Sequence, residues 1–495
     1  GCAPNPRGGS AGTPSAPLRR RGPRIVARPR LSWWATRVGA VMTEFELASR
    51  IAERVRAANG RALFVGGWVR DRLLGQESKD IDLEIHGIEA TPLRTLLEDV
   101  APVNAVGESF TVYKVGPVDV ALPRTESKTG RGHRGFEVTG NPHLSIEDAA
   151  RRRDFTINAI AWDPVTEQYL DPHGGRADLE HRRLCVVDPT TFGDDSLRVL
   201  RALQFAARFE LSLDDQTRRI CRVTPLDDLP AERIWGEFEK LLLLSDRPSR
   251  GFELALELGV VDQLFPELKA LVGCKQEPEW HPEGDVWVHT MLVIDEARTR
   301  IDDLPHPQQV AMMLGAVCHD LGKPATTELI DGRIRSRNHE EAGVAPTHAV
   351  LDRLNVRSMS GYDVRHQVVG LVAQHLKPGM WHWSTNDVGD GAFRRLARKV
   401  DLELLARLAK SDCLGRTGAF DCSAMDWFLG RARALGVEHA PPAPLLMGRH
   451  LLDLGVPAGP DVGRILKTVY ERQLDGQVGT LEEAVAAAEE ILAER

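Results

Sequence analysis

Cysteine is scarce in this chain. There are seven in 495 residues, with no CxxC pair and no evenly spaced framework. That pattern argues against a secreted disulfide scaffold and against a cysteine zinc site, and it suits a reducing cytoplasm. Long apolar runs are missing too. None approaches the ~20 residues needed to cross a bilayer, so no membrane span is expected. Acidic residues are absent from the first 41 positions, which carry eight arginines among Gly, Pro and Ser, without periodicity. Such a segment cannot bury enough apolar surface to order itself, so residues 1–41 read as a disordered extension. Its Arg-rich, acid-poor composition also fits a transit peptide. The plainer expectation is an upstream extension without function, because patterned sequence starts just after Met42. A net positive charge is lacking as well. Removing those eight charges from the total of −8 leaves roughly −16 on residues 42–495. Any contact with nucleic acid must therefore come from local basic patches.

The remaining length is enough for several packed domains. Its most informative stretch is residues 64–85, FVGGWVRDRLLGQESKDIDLEI. A short apolar strand is expected up to Val65. Gly66 and Gly67 then allow a sharp turn and close approach to a ligand. A short helix follows, and its free N-terminal N–H groups favour an anion such as phosphate. Residues 79–85 alternate polar and apolar, which predicts a strand with one buried face. That alternation puts Asp80, Asp82 and Glu84 on one side, where they repel unless a cation lies between them. Magnesium held by one or two carboxylates and by substrate phosphates satisfies them. A glycine turn followed by paired strand aspartates is the pattern of a two-metal nucleotidyltransferase. The competing reading is a Gly-rich turn before an exposed edge strand. Residues 117–122 predict another alternating strand with Asp119 on its polar face.

Three further motifs lie downstream. Residues 146–161, IEDAARRRDFTINAIA, carry three arginines, then Asp154 and Asn158 four apart, which a helix would place on one face. Residues 192–198, FGDDSLR, open a helix to Phe209, with Asp194 or Asp195 as its cap and Val199, Leu200, Leu203 and Ala206 as its buried stripe. Residues 232–237 read ERIWGE. Between the strands and these motifs, residues 124–135 (RTESKTGRGHRG) read as a mobile basic loop.

With these motifs in this order, the chain resembles the tRNA nucleotidyltransferase and bacterial poly(A) polymerase family, of the polymerase-beta-like superfamily. The resemblance implies an α+β fold: a mixed-sheet head, then a helical neck and body. It implies that Asp80 and Asp82, with Asp119 as third carboxylate, are catalytic and hold Mg2+. It implies nucleotide contacts from Gly66, Gly67 and Arg70, and from Arg153, Asp154 and Asn158 toward triphosphate and ribose. In the family pattern Asp195 and Arg198 read the base edge, so that protein replaces a template. Arg201 lies beside them, and Glu232 and Arg233 belong to a neck motif bracing the helix. Asp194 stands where the family usually has glutamate. The basic loop corresponds to a segment that helps the enzyme change from C to A addition.

A second constellation follows a break at residues 275–285, where WHPEGD interrupts the pattern. His289, His319, Asp320 and Asp412 lie on expected helices, with His339 and His375 between. Histidine with carboxylate suits a first-row divalent ion. The set resembles the HD superfamily of metal-dependent phosphohydrolases, which implies His289, His319, Asp320 and Asp412 as core ligands, a transition metal or Mg2+, and a helical domain. His339 and His375 could complete a second ion, and Lys323 could meet a phosphate. The expected division is thus residues 1–41, a head at 42–180, a neck at 181–275, an HD domain at 280–425, and a helical tail at 426–495 with a solvated acidic last helix.

The implied reaction is addition of CCA to the tRNA 3′ end from CTP and ATP, in the cytoplasm and away from membranes. The oligomeric state stays open between monomer and dimer. Poly(A) addition, CC-only or A-only addition share these motifs. A phosphohydrolase with a merely nucleotide-binding head, and a non-catalytic RNA-binding module, are the readings from other classes.

Overall fold

The computed structural model describes residues 42–78, 80–106, 112–130, 136–385 and 388–493. The expected extension at 1–41 and Lys79 lie outside them. A helix, Glu44–Ala57, buries Leu47, Ile51 and Val55 and feeds the first strand. Nine strands follow in the head: β1 (Arg61–Val65), β2 (Asp82–His86), β3 (Val103–Val106), β4 (Val112–Val115), β5 (Val118–Ala121), β6 (Arg124–Lys128), β7 (Phe136–Gly140), β8 (Ala161–Asp163) and β9 (Gln168–Leu170). Seven form one mixed sheet in the order β3-β4-β5-β2-β1-β8-β9. Within it only β2 and β5 run parallel; every other pair is antiparallel. Alternation decides the faces. Phe64 joins the main core with Trp68 and Trp162, their rings 4.6 and 5.3 Å from its own. Leu63 and Val65 point the other way into a small cluster with Ala161.

The neck helix Leu197–Arg208 buries Val199, Leu200, Leu203 and Ala206, as its spacing predicts. It packs on the helices Ala231–Leu244 and Ser249–Glu257. These touch the first helices of the next region, Val286–Arg298 and His306–Cys318. Arg353 forks onto Glu267 at 2.8 Å through both nitrogens across the same seam. The chain from Glu44 onward therefore packs as one unit, with a core running continuously from Leu47 to Val437 across the expected break.

Several elements differ from expectation. β2 begins at Asp82, and the helix over 146–161 stops at Arg151. Backbone groups of residues 154–156 pair instead with 185–187: Thr156 N–H donates to Cys185 O and Val187 N–H to Asp154 O. A helix would need those same groups. Residues 124–128, expected as loop, are strand β6 of a hairpin with β7; positions 131–135 of that loop lie outside the described residues. The neck helix has Ser196, not an aspartate, at its N-cap. Cys413 and Cys422 form a disulfide, which no framework of spacings had suggested. The last helix, Leu481–Ala493, is not merely solvated. It buries Ala484, Ala487, Ala488 and Ile491 in a small core of its own with Leu451, Ile465 and Val469. No described helix is long and apolar enough to cross a membrane.

Candidate functional site

Two sites emerge, one at the sheet edge and one among the later helices. β1 ends at Val65, opposite Asp82. Gly66 then adopts φ 72, on the left-handed side that side chains disfavour. A Cβ there would lie 3.4 Å from Arg153 Nη1 and 3.6 Å from Asp82 Oδ2, so the turn presses bare backbone against both. Across the parallel pair Asp82 faces Asp119, and neighbouring strands stand only ~4.8 Å apart. Asp80 lies two residues back. Although the Asp82 side chain reaches solvent, the protein packed around its carboxyl raises the acid above its ordinary value, Arg153 and Arg152 oppose this, and Asp119 and Asp80 add to it. Carboxylates crowded in this way favour a shared divalent cation.

Glu84 behaves differently from the free edge carboxylate the alternation suggested. It is buried, 3.3 Å from His86 Nε2 and Arg152 Nη2 and 3.6 Å from Arg153 Nη2. Burial alone would raise its acid, but the His86 hydrogen bond and the two guanidinium charges outweigh it and hold the group at about 2. Glu84 therefore anchors arginines rather than joining the metal edge.

The carboxylate edge opens on a cleft of about 690 Å³. Gly66, Gly67, Arg70, Arg153, Asp154, Asn158, Asp195, Arg198, Arg201 and Arg233 all line it, as do Asp80 and Asp82. Asp154 and Asn158 meet across a tight turn instead of a helix face: Asn158 Nδ2 donates to Asp154 Oδ1 at 2.9 Å. Asn158 Oδ1 accepts from Arg70 Nη1 at 2.7 Å, and Asp154 Oδ2 accepts from Arg201 Nε at 2.6 Å. The Arg70 guanidinium also stacks 4.4 Å from the Phe209 ring. The Arg233 fork donates to both oxygens of Asp195, at 3.1 and 3.0 Å, and Leu197 N–H reaches Oδ1 at 3.2 Å. Arg198 donates to the carbonyls of Arg152 and Thr191.

Glu232 is exposed and absent from the cleft lining. The acid that the neck brings inward is Glu237, buried and 2.8 Å from Lys240 Nζ. Arg124, Arg152, Gln204, Arg208 and Lys240 line the cleft beyond the expected set. Lys240 lies two turns beyond Arg233 on one helix, a spacing that could have flagged it.

In the second site all six expected residues converge. Asp320 stands at the centre. Its Oδ2 lies 3.2 Å from His319 Nε2 and 3.9 Å from His289 Nε2, and its Oδ1 lies 3.3 Å from His339 Nε2 and 4.0 Å from His375 Nε2. His289 Nε2 also lies 3.0 Å from Asp412 Oδ1. Two triads result, His289–His319–Asp412 and Asp320–His339–His375, each with its donor atoms within 4.8 Å of one another and all buried. The oxygens of Asp320 are met only by ion-pair contacts, among them Lys323 Nζ at 2.7 Å from Oδ2 and His339 Nε2 at 3.3 Å from Oδ1, none of them a well-aligned hydrogen bond, and Nε2 of His319 has no aligned partner either. A divalent ion among these buried atoms would use the lone pairs that such contacts leave. Gly322 makes the convergence possible, because a Cβ there would fall 2.0 Å from His339 O.

Asp320 and Asp412 would be raised by burial, but the neighbouring histidines and the cations Lys323 and Arg416 hold both well below the carboxylate range. His375, buried and next to His339 and His319, is pushed down to about 3 and so presents a neutral imidazole, the form that binds metal. Lys323 Nζ lies 2.7 Å from Asp320 Oδ2. The site opens to a pocket of about 320 Å³ that Trp280, His281 and Arg416 help to line. His281 and its neighbour Glu283 went unrecognised because WHPEGD reads as a break.

A glycine turn on a carboxylate edge, facing arginines from a helical neck, defines a nucleotidyltransferase head with an appended buried histidine–aspartate centre. The Poly A polymerase head domain family matches residues 62–185, and the family described as "Probable RNA and SrmB- binding site of polymerase A" matches residues 214–271. The multifunctional CCA protein of Methylobacillus flagellatus is 41% identical over 74% of this chain and 87% of its own length; that of Cupriavidus metallidurans is 36% identical over 72% and 85%. The chain belongs to the family of multifunctional CCA proteins. Among solved structures, the Bacillus stearothermophilus CCA-adding enzyme in complex with CTP aligns over 91% of this chain and 98% of its own with a TM-score of 0.61. The Thermotoga maritima CCA-adding enzyme complexed with tRNA aligns over 90% and 95% at 0.55. At 21% and 19% identity these share its fold.

Proposed function

We propose that this protein is a template-independent tRNA nucleotidyltransferase that adds CCA to the tRNA 3′ end from CTP and ATP. The observation that carries this reading is the convergence of motifs, scattered from Gly66 to Arg233, on one cleft beside the carboxylate edge. In this reading the RNA 3′-OH attacks the α-phosphate and pyrophosphate leaves. Asp80 and Asp82, with Asp119, would hold two Mg2+ ions, which activate the hydroxyl and neutralise the leaving group when bound. Gly66 and Gly67 let backbone N–H groups approach the phosphates, and the Arg153 fork suits polyphosphate oxygens. Asp195 and Arg198 then meet the base edge. Asp195 only accepts and Arg198 only donates, which suits the amino groups and ring acceptors shared by cytosine and adenine. Cytoplasmic location follows from this substrate. The test is incorporation of each of four labelled nucleotides into tRNA ending at the discriminator base. Ordered C, C, A addition supports the reading; A alone, or poly(A), overturns it.

A second activity is favoured by the two buried histidine–carboxylate triads that meet at Asp320. The histidine–aspartate centre would hold two divalent ions, of a first-row transition metal or Mg2+, and hydrolyse a phosphate ester. Lys323 and Arg416 would meet the phosphate, and the pocket would admit it. A screen of cyclic and 2′-phosphate esters with several metals tests this. No hydrolysis by wild type leaves the centre structural.

A further inference from the structure

Three of the centre's histidines are oriented alike. Nδ1 of His319, His339 and His375 contacts the carbonyl three residues back, of Ala316, Ser336 and Val372, at 2.8–2.9 Å. His289 does not follow them: the carbonyl three residues before it, Val286 O, accepts from the Thr290 hydroxyl at 2.8 Å instead. Its Nδ1 faces instead a carboxylate, Glu283 Oε1, at 2.8 Å, with the angle short of a hydrogen bond and no other partner. Glu283 is itself fully enclosed. Its Oε1 meets His281 Nδ1 at 2.9 Å, and its Oε2 accepts from Thr417 N–H at 3.4 Å.

We infer that Glu283 is a positioning residue for His289 and sets the affinity of the triad His289–His319–Asp412 for its metal, leaving the triad Asp320–His339–His375 largely untouched. The inference rests on the two-metal reading of this centre. A carboxylate behind a ligating imidazole fixes the proton on Nδ1, aims Nε2 at the metal and makes that nitrogen more basic than a carbonyl does. His289 needs this most. Its Nε2 already faces Asp412 at 3.0 Å, so only a cation between them relieves the pair once Nδ1 keeps the proton. Lys323 and Arg416 act the other way, drawing on Asp320 and Asp412. Glu283 is thus the group that restores negative charge to this side.

The test is a Co2+ titration of the full chain carrying D80A and D82A, so that only this centre reports. It is followed by visible absorbance and equilibrium dialysis, without substrate. Two ions should bind in two steps. E283Q, which keeps an acceptor for Thr417 N–H, should weaken one step about 10–100-fold and shift the other less than about threefold, and E283D should recover part of the loss. Two ions bound with both steps unchanged in E283Q and in E283D overturn the inference alone. Equal weakening of both steps overturns the selectivity claimed for Glu283. A centre that takes up no ion before the substitution overturns the two-metal reading and the inference with it.

Discussion

The two metal-seeking sites of this chain are built on opposite plans. At the sheet edge the carboxylates are few and open. Asp80 and Asp82 are exposed, and the surrounding charge is arginine. In the helical region every candidate ligand is buried, five of them around the carboxylate of Asp320, with Nδ1 of three histidines held to backbone carbonyls behind them. On the proposed reading, the first site offers too few ligands to hold an ion tightly, and its ions would complete their coordination with substrate phosphates. The second would offer ligands for two ions before any substrate comes. One site would be assembled by its substrate, and the other by folding.

The strongest way to break this contrast is at the open edge. Asp82→Ala should lower nucleotide addition by roughly 10³-fold or more, since a metal contributes several kcal/mol of transition-state stabilisation. Metal binding at the histidine centre and the melting temperature should stay put. Incorporation near wild type with magnesium would remove Asp82 from the catalytic edge. At the closed centre, Asp320→Asn removes the charge both triads share. Any metal-dependent hydrolysis should fall by about 10²-fold or more, while CTP and ATP incorporation stays within about twofold. A parallel loss of addition would mean that the shared core couples the two sites.

Smaller effects sharpen the comparison within the head. Asp195→Ala should erase the preference for CTP and ATP over UTP and GTP by about 10–100-fold, the worth of an unpaired buried polar group, while Asp82→Ala loses all four alike. Retained preference with a slower rate would leave Asp195 as a partner of Arg233 and Leu197 only. Glu84→Gln should cost about 3 kcal/mol of stability at neutral pH. Folding lowers the Glu84 acid from 4.5 to about 2. Its contribution is therefore complete above about 4.5 and is lost as pH falls toward 2. Denaturant midpoints of wild type and E84Q should converge across that window, and parallel curves would refute the assignment.

Which parts of this were legible beforehand follows from range. The head motifs are local. A glycine turn, an alternating strand and a periodic neck helix each signal themselves within ten residues, and Asp80, Asp82, Asp195 and Arg198 could be placed from spacing and resemblance. The histidines were legible as a set because the adjacent pair His319–Asp320, with His289 ahead and Asp412 behind on expected helices, resembles the HD pattern. What escaped notice depends on distant partners. The helix over 146–161 fails because its backbone is claimed by residues 185–187, thirty positions on. Glu283 looked like part of a boundary because WHPEGD breaks the periodic pattern, while its contacts to His289 and to Thr417, 134 positions on, are made only by the fold. The Cys413–Cys422 bridge joins two positions with no pattern around them. The division near 275–285 is visible in composition, yet Asp295 accepts from Ser249 N–H and hydroxyl across it.

The fork of Arg233 on Asp195 has a consequence for how a base is chosen. Asp195 is already engaged by a partner carried in the same molecule, present at an effective concentration of about millimolar or more. For the proposed base reading, an incoming nucleotide does not fill a vacancy; it must win an exchange. A base with an amino group at the right edge returns one hydrogen bond for the two that Arg233 gives up, and its other contacts must supply the rest. One with a carbonyl there offers nothing in return, and the arginine closes again. On that reading the neck would act as a competitor that every nucleotide meets, and selectivity would be the difference between displacing it and failing to.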